Sequence, residues 1–315
     1  MNLHRPIRIG TRGSRLALWQ AHHVAACLEL AQLSTEIVII TTKGDVVLDR
    51  SLDKIGAKGV FTEELEESLR SGAIDIAVHS AKDVQSSIPE DLELLAFMER
   101  EKVNDVIISF DPDLSLDRPD LVLGTSSTRR KAMLRRFYPN ATTAEARGNL
   151  QTRLRKLEEG QYHALVLAYA GVHRMEYDEL IRFVLPETQF VPATGQGSVA
   201  VECARSLEPA LKAELHRILD HQPTHTCLLA ERAFLRTMEG GCSIPSFALA
   251  TYTAEGALQL HGGLISLDGE QYLEEILTTA DLGQAEVMGI ELAERVLNRG
   301  GREILEEIRS QRAVS

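Results

Sequence analysis

The sequence predicts an α/β fold built as two successive lobes, followed by a smaller α+β domain. Three observations carry that prediction. Short β-branched runs alternate with segments of helical period in the first third of the chain, and the alternation restarts near residue 121. Beyond about residue 220 the pattern changes to one amphipathic helix, three strand-like runs and two charged helices. A chain of 315 residues also exceeds the size at which one hydrophobic core stops growing.

In the first lobe, "IRIGTR" (7–12) reads as a strand running into a loop. Ser14 is placed to cap the following helix, on which Ala17, Ala21, Val24 and Leu28 recur at helical spacing. "IVIITT" (37–42) is the next strand. Phe61, Leu65 and Leu69 then share one face of an acidic helix closed by Gly72, and "AIDIAVHS" (73–80) is a strand again. Strand, helix, strand, helix, strand implies a parallel sheet with right-handed crossovers.

In the second lobe, "LVLGTSS" (121–127) is a strand entering a small polar loop, and an Arg-rich helix follows. "TTAEA" and "RGNLQTRLRKLEEG" supply another strand and helix, and "HALVLAYAG" (163–171) a third strand. The Asp- and Pro-rich "SFDPDLSLDRPD" (109–120) is a loop or linker. "VPATGQGSVAVE" (191–202) contains a Gly-Gln-Gly turn before an apolar run, which reads as the chain returning to the first lobe through a hinge. In the last domain, "AEG" (254–256) and "LDG" (267–269) punctuate three strands of an antiparallel meander. The expected limits are 1–98 with 198–217, then 103–192, then 220–315.

Composition narrows the function. Hydrophobic residues are 44% and charged residues 25% of the chain, as in ordinary globular proteins. A net charge of −12 argues against nucleic acid or an anionic membrane as partner. No run approaches the ~18 apolar residues of a membrane span. Cys27, Cys203, Cys227 and Cys242 are far apart with no CxxC pair, so neither a metal site nor a disulfide framework is expected. "MNLHRPIRIGTRGS" lacks the apolar segment of a signal peptide, so the expectation is a cytoplasmic protein. The absence of long heptads points to a monomer.

Four constellations carry possible chemistry. Seven arginines and Lys131 lie between Gly124 and Arg155, with Glu145 as the only acidic residue there. The planar guanidinium fork suits carboxylates or phosphates, and "GTSSTRR" adds hydroxyls and N–H groups at a helix N-terminus. A solvated basic helix face is the alternative, with Arg135 and Arg136 outward. "HSAKDV" (79–84) puts Lys82 beside Asp83 at the C-terminal end of a strand, where ligands of open α/β sheets collect; a surface ion pair is the alternative. Cys242 follows two glycines, as a reactive or as a structural thiol. The lone GxG at 195–197 is weak evidence for nucleotide, since GxGxxG is absent.

Taken in order, "TRGSRLALWQ", "KGDVVLD", "KGVFTEELE", "DIAVHSAKDV", "GTSSTRR", "ARGNLQTRLRKL", "PATGQG" and "AERAFLRTMEGGC" closely resemble the porphobilinogen deaminase, or hydroxymethylbilane synthase, family. The resemblance implies two lobes like those of type II periplasmic binding proteins, plus a C-terminal domain that carries the cofactor cysteine. It implies a transferase that deaminates four porphobilinogen molecules and joins them head to tail into 1-hydroxymethylbilane. A dipyrromethane, tethered by a thioether to Cys242, primes the chain.

Asp83 then matches the catalytic carboxylate, which moves protons during loss of ammonia and stabilises cationic azafulvene and pyrrole intermediates. Arg12, Ser14, Ser80, Lys82, Thr125, Ser126, Ser127, Arg129, Arg130, Arg147, Gly148, Arg153, Arg174 and Gln196 match positions that hold the acetate and propionate groups. Lys54, Lys58 and Phe61 lie on the segment matching the mobile active-site loop. Two departures stand out: Gln85 where the family commonly has proline, and "SIPSFALA" after Cys242 where "QVPIG" is usual. The rival reading is a two-lobed binding protein for aromatic or dicarboxylic anions, which would leave Asp83 and Cys242 without a task. A cysteine-nucleophile acyl transferase lacks a recognisable base partner.

Overall fold

The computed structural model describes residues 5–42, 62–239 and 244–313. Lys54, Lys58, Phe61 and Cys242 lie outside the described residues. The chain falls into two compact units, one of residues 1–101 and 197–225, the other of 102–196 and 226–315.

The first unit begins with β1 (Ile7–Thr11), α1 (Arg15–Leu30) and β2 (Thr35–Ile39). Ser14 caps α1 as predicted, its hydroxyl accepting from the Ala17 N–H at 3.3 Å. After α2 (Glu63–Arg70) come β3 (Ile76–Ser80) and β4 (Leu92–Phe97). Alternation along β3 serves both faces of the sheet. Ile76 and Val78 pack with Val24 and Leu28 of α1, while Ala77 packs with Leu65 and Leu69 of α2. Glu63, Glu64 and Glu66 in the first turn of α2 and Arg70 in its last complement the helix dipole.

The second unit takes up the chain at β5 (Asp105–Ile108), followed by β6 (Val122–Gly124), α3 (Thr128–Phe137), β7 (Thr142–Ala144) and α4 (Leu150–Glu158). β8 (Ala164–Ala168), α5 (Tyr169–Arg174) and β9 (Ile181–Val184) complete that sheet. The run read as one strand over 163–171 is therefore a strand that turns into a short helix at Tyr169. The chain then re-enters the first unit with β10 (Val199–Ala204) and α6 (Pro209–Leu219), and α7 (Gln222–Thr237) leads out again. β11 (Ser246–Tyr252), β12 (Leu258–Ile265), β13 (Tyr272–Thr279), α8 (Ala285–Val296) and α9 (Arg302–Ala313) end it.

Both five-stranded sheets follow one plan, β2-β1-β3-β10-β4 and β7-β6-β8-β5-β9. Neither is wholly parallel, which corrects the parallel sheet predicted. β10 runs antiparallel to β3 and β4, and β5 runs antiparallel to β8 and β9. Each inserted strand is the first after a chain crossing, so its partners are remote in sequence and no turn signal announces it. At the return crossing Gly197 has φ +93°, and a Cβ there would lie 2.4 Å from the Glu101 carbonyl oxygen. Glu101 N–H donates to Gly197 O at 3.2 Å, so the outgoing and returning segments are bonded side by side.

The predicted antiparallel three-stranded sheet is present in the order β11-β12-β13. It has its own core of Phe234, Met238, Leu258, Leu260, Leu292, Val296 and Ile304. It also shares a second core with the preceding sheet, in which Phe247, Leu249 and Ile265 join Leu121, Leu123, Met133, Val166 and Phe190. Arg135 and Arg136 point outward from α3 as predicted; Arg135 donates to Leu267 O, and Arg136 donates to Gly269 O at 3.2 Å and stacks on Tyr272. These contacts make the C-terminal segment part of the second unit.

Candidate active site

Parallel pairing of β1 with β2 and β3 places their C-terminal ends along one edge of the first sheet. Arg12 and Ser14 follow β1 there, and Ser80, Lys82 and Asp83 end or follow β3. The buried Gln20 of α1 ties the two groups, its Nε2 donating to Ser80 Oγ at 2.9 Å. Residues 81–83 form a single 3₁₀ turn whose Ala81 N–H donates to Ser198 O at 3.0 Å. Asp83 ends this turn and is exposed.

The second sheet repeats the arrangement with a cationic lining. β6 delivers Thr125, Ser126 and Ser127 to its C-terminal end, and Ser127 caps α3 by accepting from the Arg130 N–H at 3.4 Å. Ser126 Oγ accepts from Ala146 N–H at 3.1 Å, holding the segment of Arg147 and Gly148 beside it. Gly148 has φ +103° and precedes Asn149, the cap of α4; from α4, Arg153 Nε donates back to Gly148 O at 2.8 Å. Arg174 ends α5, after β8, at the same edge of the sheet. Glu145 pairs with Lys131 and with Arg147 at 3.1 Å. Burial pushes its carboxyl up, but Lys131, Ser126 and Arg147 hold it below the usual range.

Arg129 and Arg130 are placed differently from the other arginines. Both are buried and grip the wholly buried Asp105 at the start of β5. Arg129 Nη2 meets Oδ2 at 2.6 Å, and Arg130 Nε and Nη2 meet Oδ1 at 3.0 and 2.6 Å. Gln196 Nε2 adds a bond to Oδ1 at 3.0 Å and one to Val103 O at 2.7 Å. Burial pushes the Asp105 carboxyl up, yet the two guanidinium charges outweigh it and hold the carboxyl well below the usual range. Two cations on one carboxylate leave one net positive charge behind Thr125–Ser127. Gly195, next to Gln196, is held by a second buried acid: its N–H and that of Ala250 donate to Glu231, both at 2.8 Å.

Sequence reasoning missed Gln20, Asp105 and Glu231. Asp105 had one available signal, a lone acid heading the apolar "VIIS" run. Glu231 sits inside an amphipathic helix and carries none. Among the described residues no group of three or more His, Cys, Asp or Glu could hold a metal, and no helix is long and apolar enough to cross a membrane.

Each of the two mixed α/β sheets carries hydroxyl- and cation-bearing loops at the C-terminal ends of its parallel strands, with the exposed Asp83 at the first and Glu145, paired with Lys131 and Arg147, at the second. Comparison with known proteins assigns the family. Residues 7–212 match the porphobilinogen deaminase, dipyromethane cofactor binding domain, and residues 225–298 match the porphobilinogen deaminase C-terminal domain. The porphobilinogen deaminase of Cytophaga hutchinsonii is 55% identical over 98% of both chains. That of Desulfosudis oleivorans is 48% identical over 97% of this chain and 98% of its own. The chain belongs to the porphobilinogen deaminase family. Among solved structures, the Bordetella pertussis BvgS VFT2 domain aligns at 20% identity with a TM-score of 0.40, over 69% of this chain and 86% of its own.

Proposed function

We propose that Asp83 is the catalytic carboxylate of a hydroxymethylbilane synthase and that Cys242 tethers its dipyrromethane. The enzyme deaminates porphobilinogen and joins four molecules head to tail into 1-hydroxymethylbilane. The observation that carries the site assignment is the position of Asp83, exposed on an anchored turn after β3, at the sheet edge where Arg12 and Ser14 follow the neighbouring β1.

The donor set fits the cofactor. Each pyrrole unit bears two carboxylates, so cofactor and four added units together carry twelve. Arg12, Ser14, Ser80 and Lys82 in one unit, and Thr125, Ser126, Ser127, Arg147, Gly148, Arg153 and Arg174 in the other, offer cations, hydroxyls and backbone N–H groups to such anions. The buried Gln196 amide donates to Val103 O and Asp105 and supports that carboxylate instead. Arg129 and Arg130 act through their net charge across Asp105; both are buried, and their terminal nitrogens donate to Asp105, Val191 O and Val166 O. When bound, the dipyrromethane supplies the free pyrrole position to which the first unit is joined. Asp83 manages the proton at the aminomethyl nitrogen of porphobilinogen, so that nitrogen leaves as ammonia, and its negative charge stabilises the cation left on the substrate carbon.

The same reading has the enzyme working as a monomer in the cytoplasm without nucleic acid. The net charge of −12 supports the last point, and sedimentation of the purified chain tests the first. For the central assignment, the purified enzyme should release one ammonia per porphobilinogen consumed. Asp83→Asn should keep its bound dipyrromethane and lose at least about 100-fold in kcat. Normal turnover by that variant would remove Asp83 from the catalytic role.

A further inference from the structure

We propose that Gln85 is a positioning residue for Asp83, acting through the buried side chain of Glu66. The inference rests on the assignment of Asp83 above. No hydrogen bond or ion pair to the Asp83 side chain is found among the described residues, so the carboxylate takes its position from its backbone. Upstream, that backbone is fixed where Ala81 N–H meets Ser198 O. Downstream, Val84 is buried, and Gln85 turns inward. Its Nε2 donates to Glu66 Oε1 and to Thr62 Oγ1, both at 3.1 Å.

The acceptor is itself held. Glu66 lies on α2 with its side chain 8% exposed, and its Oε1 also accepts from Thr62 Oγ1 at 2.7 Å. Its Oε2 faces Arg70 Nη2 at 3.5 Å, and Arg70 Nε donates to Asp91 Oδ2 at 2.6 Å. The connection from Asp83 to β4 is thus pinned to α2 at both ends, through Gln85 and through Asp91. A proline at 85 has no side-chain donor and could not make the first of these attachments. Rigid support on both sides matters because misplacing a reacting group by about 1 Å can cost on the order of 100-fold in rate.

The test uses the dipyrromethane-loaded enzyme. Gln85→Ala should lower kcat about 10-fold or more, leave KM for porphobilinogen within about 2-fold, and leave the bound dipyrromethane unchanged by intact mass. Gln85→Glu, which sets two carboxyls against each other, should be worse. Combining it with Glu66→Gln reverses donor and acceptor and should restore kcat to within about 3-fold of wild type. If Gln85→Ala does not fold, that exchange pair carries the test. A Gln85→Ala enzyme within about 2-fold of wild type in kcat, a fall in kcat matched by loss of dipyrromethane, or an exchange pair no better than Gln85→Glu would each overturn the proposal. Asp83→Asn run in parallel separates the two claims. Its inactivity beside a fully active Gln85→Ala refutes only the role of Gln85, whereas its normal turnover refutes the assignment of Asp83.

Discussion

The buried Asp105 centre makes the strongest stability prediction. Its carboxylate has no solvent exposure and accepts four bonds, from Arg129, Arg130 (two) and Gln196. Asp105→Asn keeps the shape but leaves two buried guanidiniums without a counter-charge. Removing one partner of a buried pair costs about 3–5 kcal/mol, a large share of the roughly 5–15 kcal/mol that stabilises a domain. For a unit of this size that lowers Tm by about 10 °C.

The pH dependence has a definite sign. The folded carboxyl titrates below the unfolded one, so its contribution is complete above about pH 4 and is lost as pH falls through the folded value. Urea titrations followed by circular dichroism at pH 7 and pH 3 measure both effects. The wild type should exceed the variant by about 3–5 kcal/mol at pH 7, with a smaller gap at pH 3. A gap under about 1 kcal/mol at pH 7, or one that does not narrow on acidification, would refute the reasoning.

Two further outcomes follow from single contacts. Gly197→Ala forces a Cβ onto a positive φ and into the Glu101 carbonyl, and should cost at least about 2 kcal/mol in a melt; a neutral result would show that the crossing relaxes freely. Burial and the nearby Glu93 push the Cys203 thiol up to about 12, so a maleimide at pH 7.5 should label the half-buried Cys27 and spare Cys203 in the native enzyme; equal labelling would contradict the packing around Cys203.

Elements with a local signal were legible. Ser14 before a periodic run marked α1, and "LDG" marked the β12–β13 hairpin. What stayed hidden depends on remote partners. β5 and β10 are antiparallel insertions whose ladders join residues about 60 and 120 positions apart, and no short window contains that information. The start of α5 was hidden because "HALVLAYAG" is apolar throughout, and an apolar run does not distinguish strand from helix. At the site, residue type and order placed Asp83, Lys82 and the Thr125–Ser127 loop at strand ends. Charge alone could not separate arginines that line an edge from Arg129 and Arg130, because that distinction lies in Asp105, two dozen residues upstream.

The tether is the point on which the functional account turns, and intact-mass spectrometry of the purified chain tests it directly. The account predicts a mass above that of the sequence by one dipyrromethane, with the increment localised by digestion to the peptide bearing Cys242 and absent from Cys242→Ser. An active wild-type chain at its unmodified mass, or a Cys242→Ser variant that retains the increment, would contradict it.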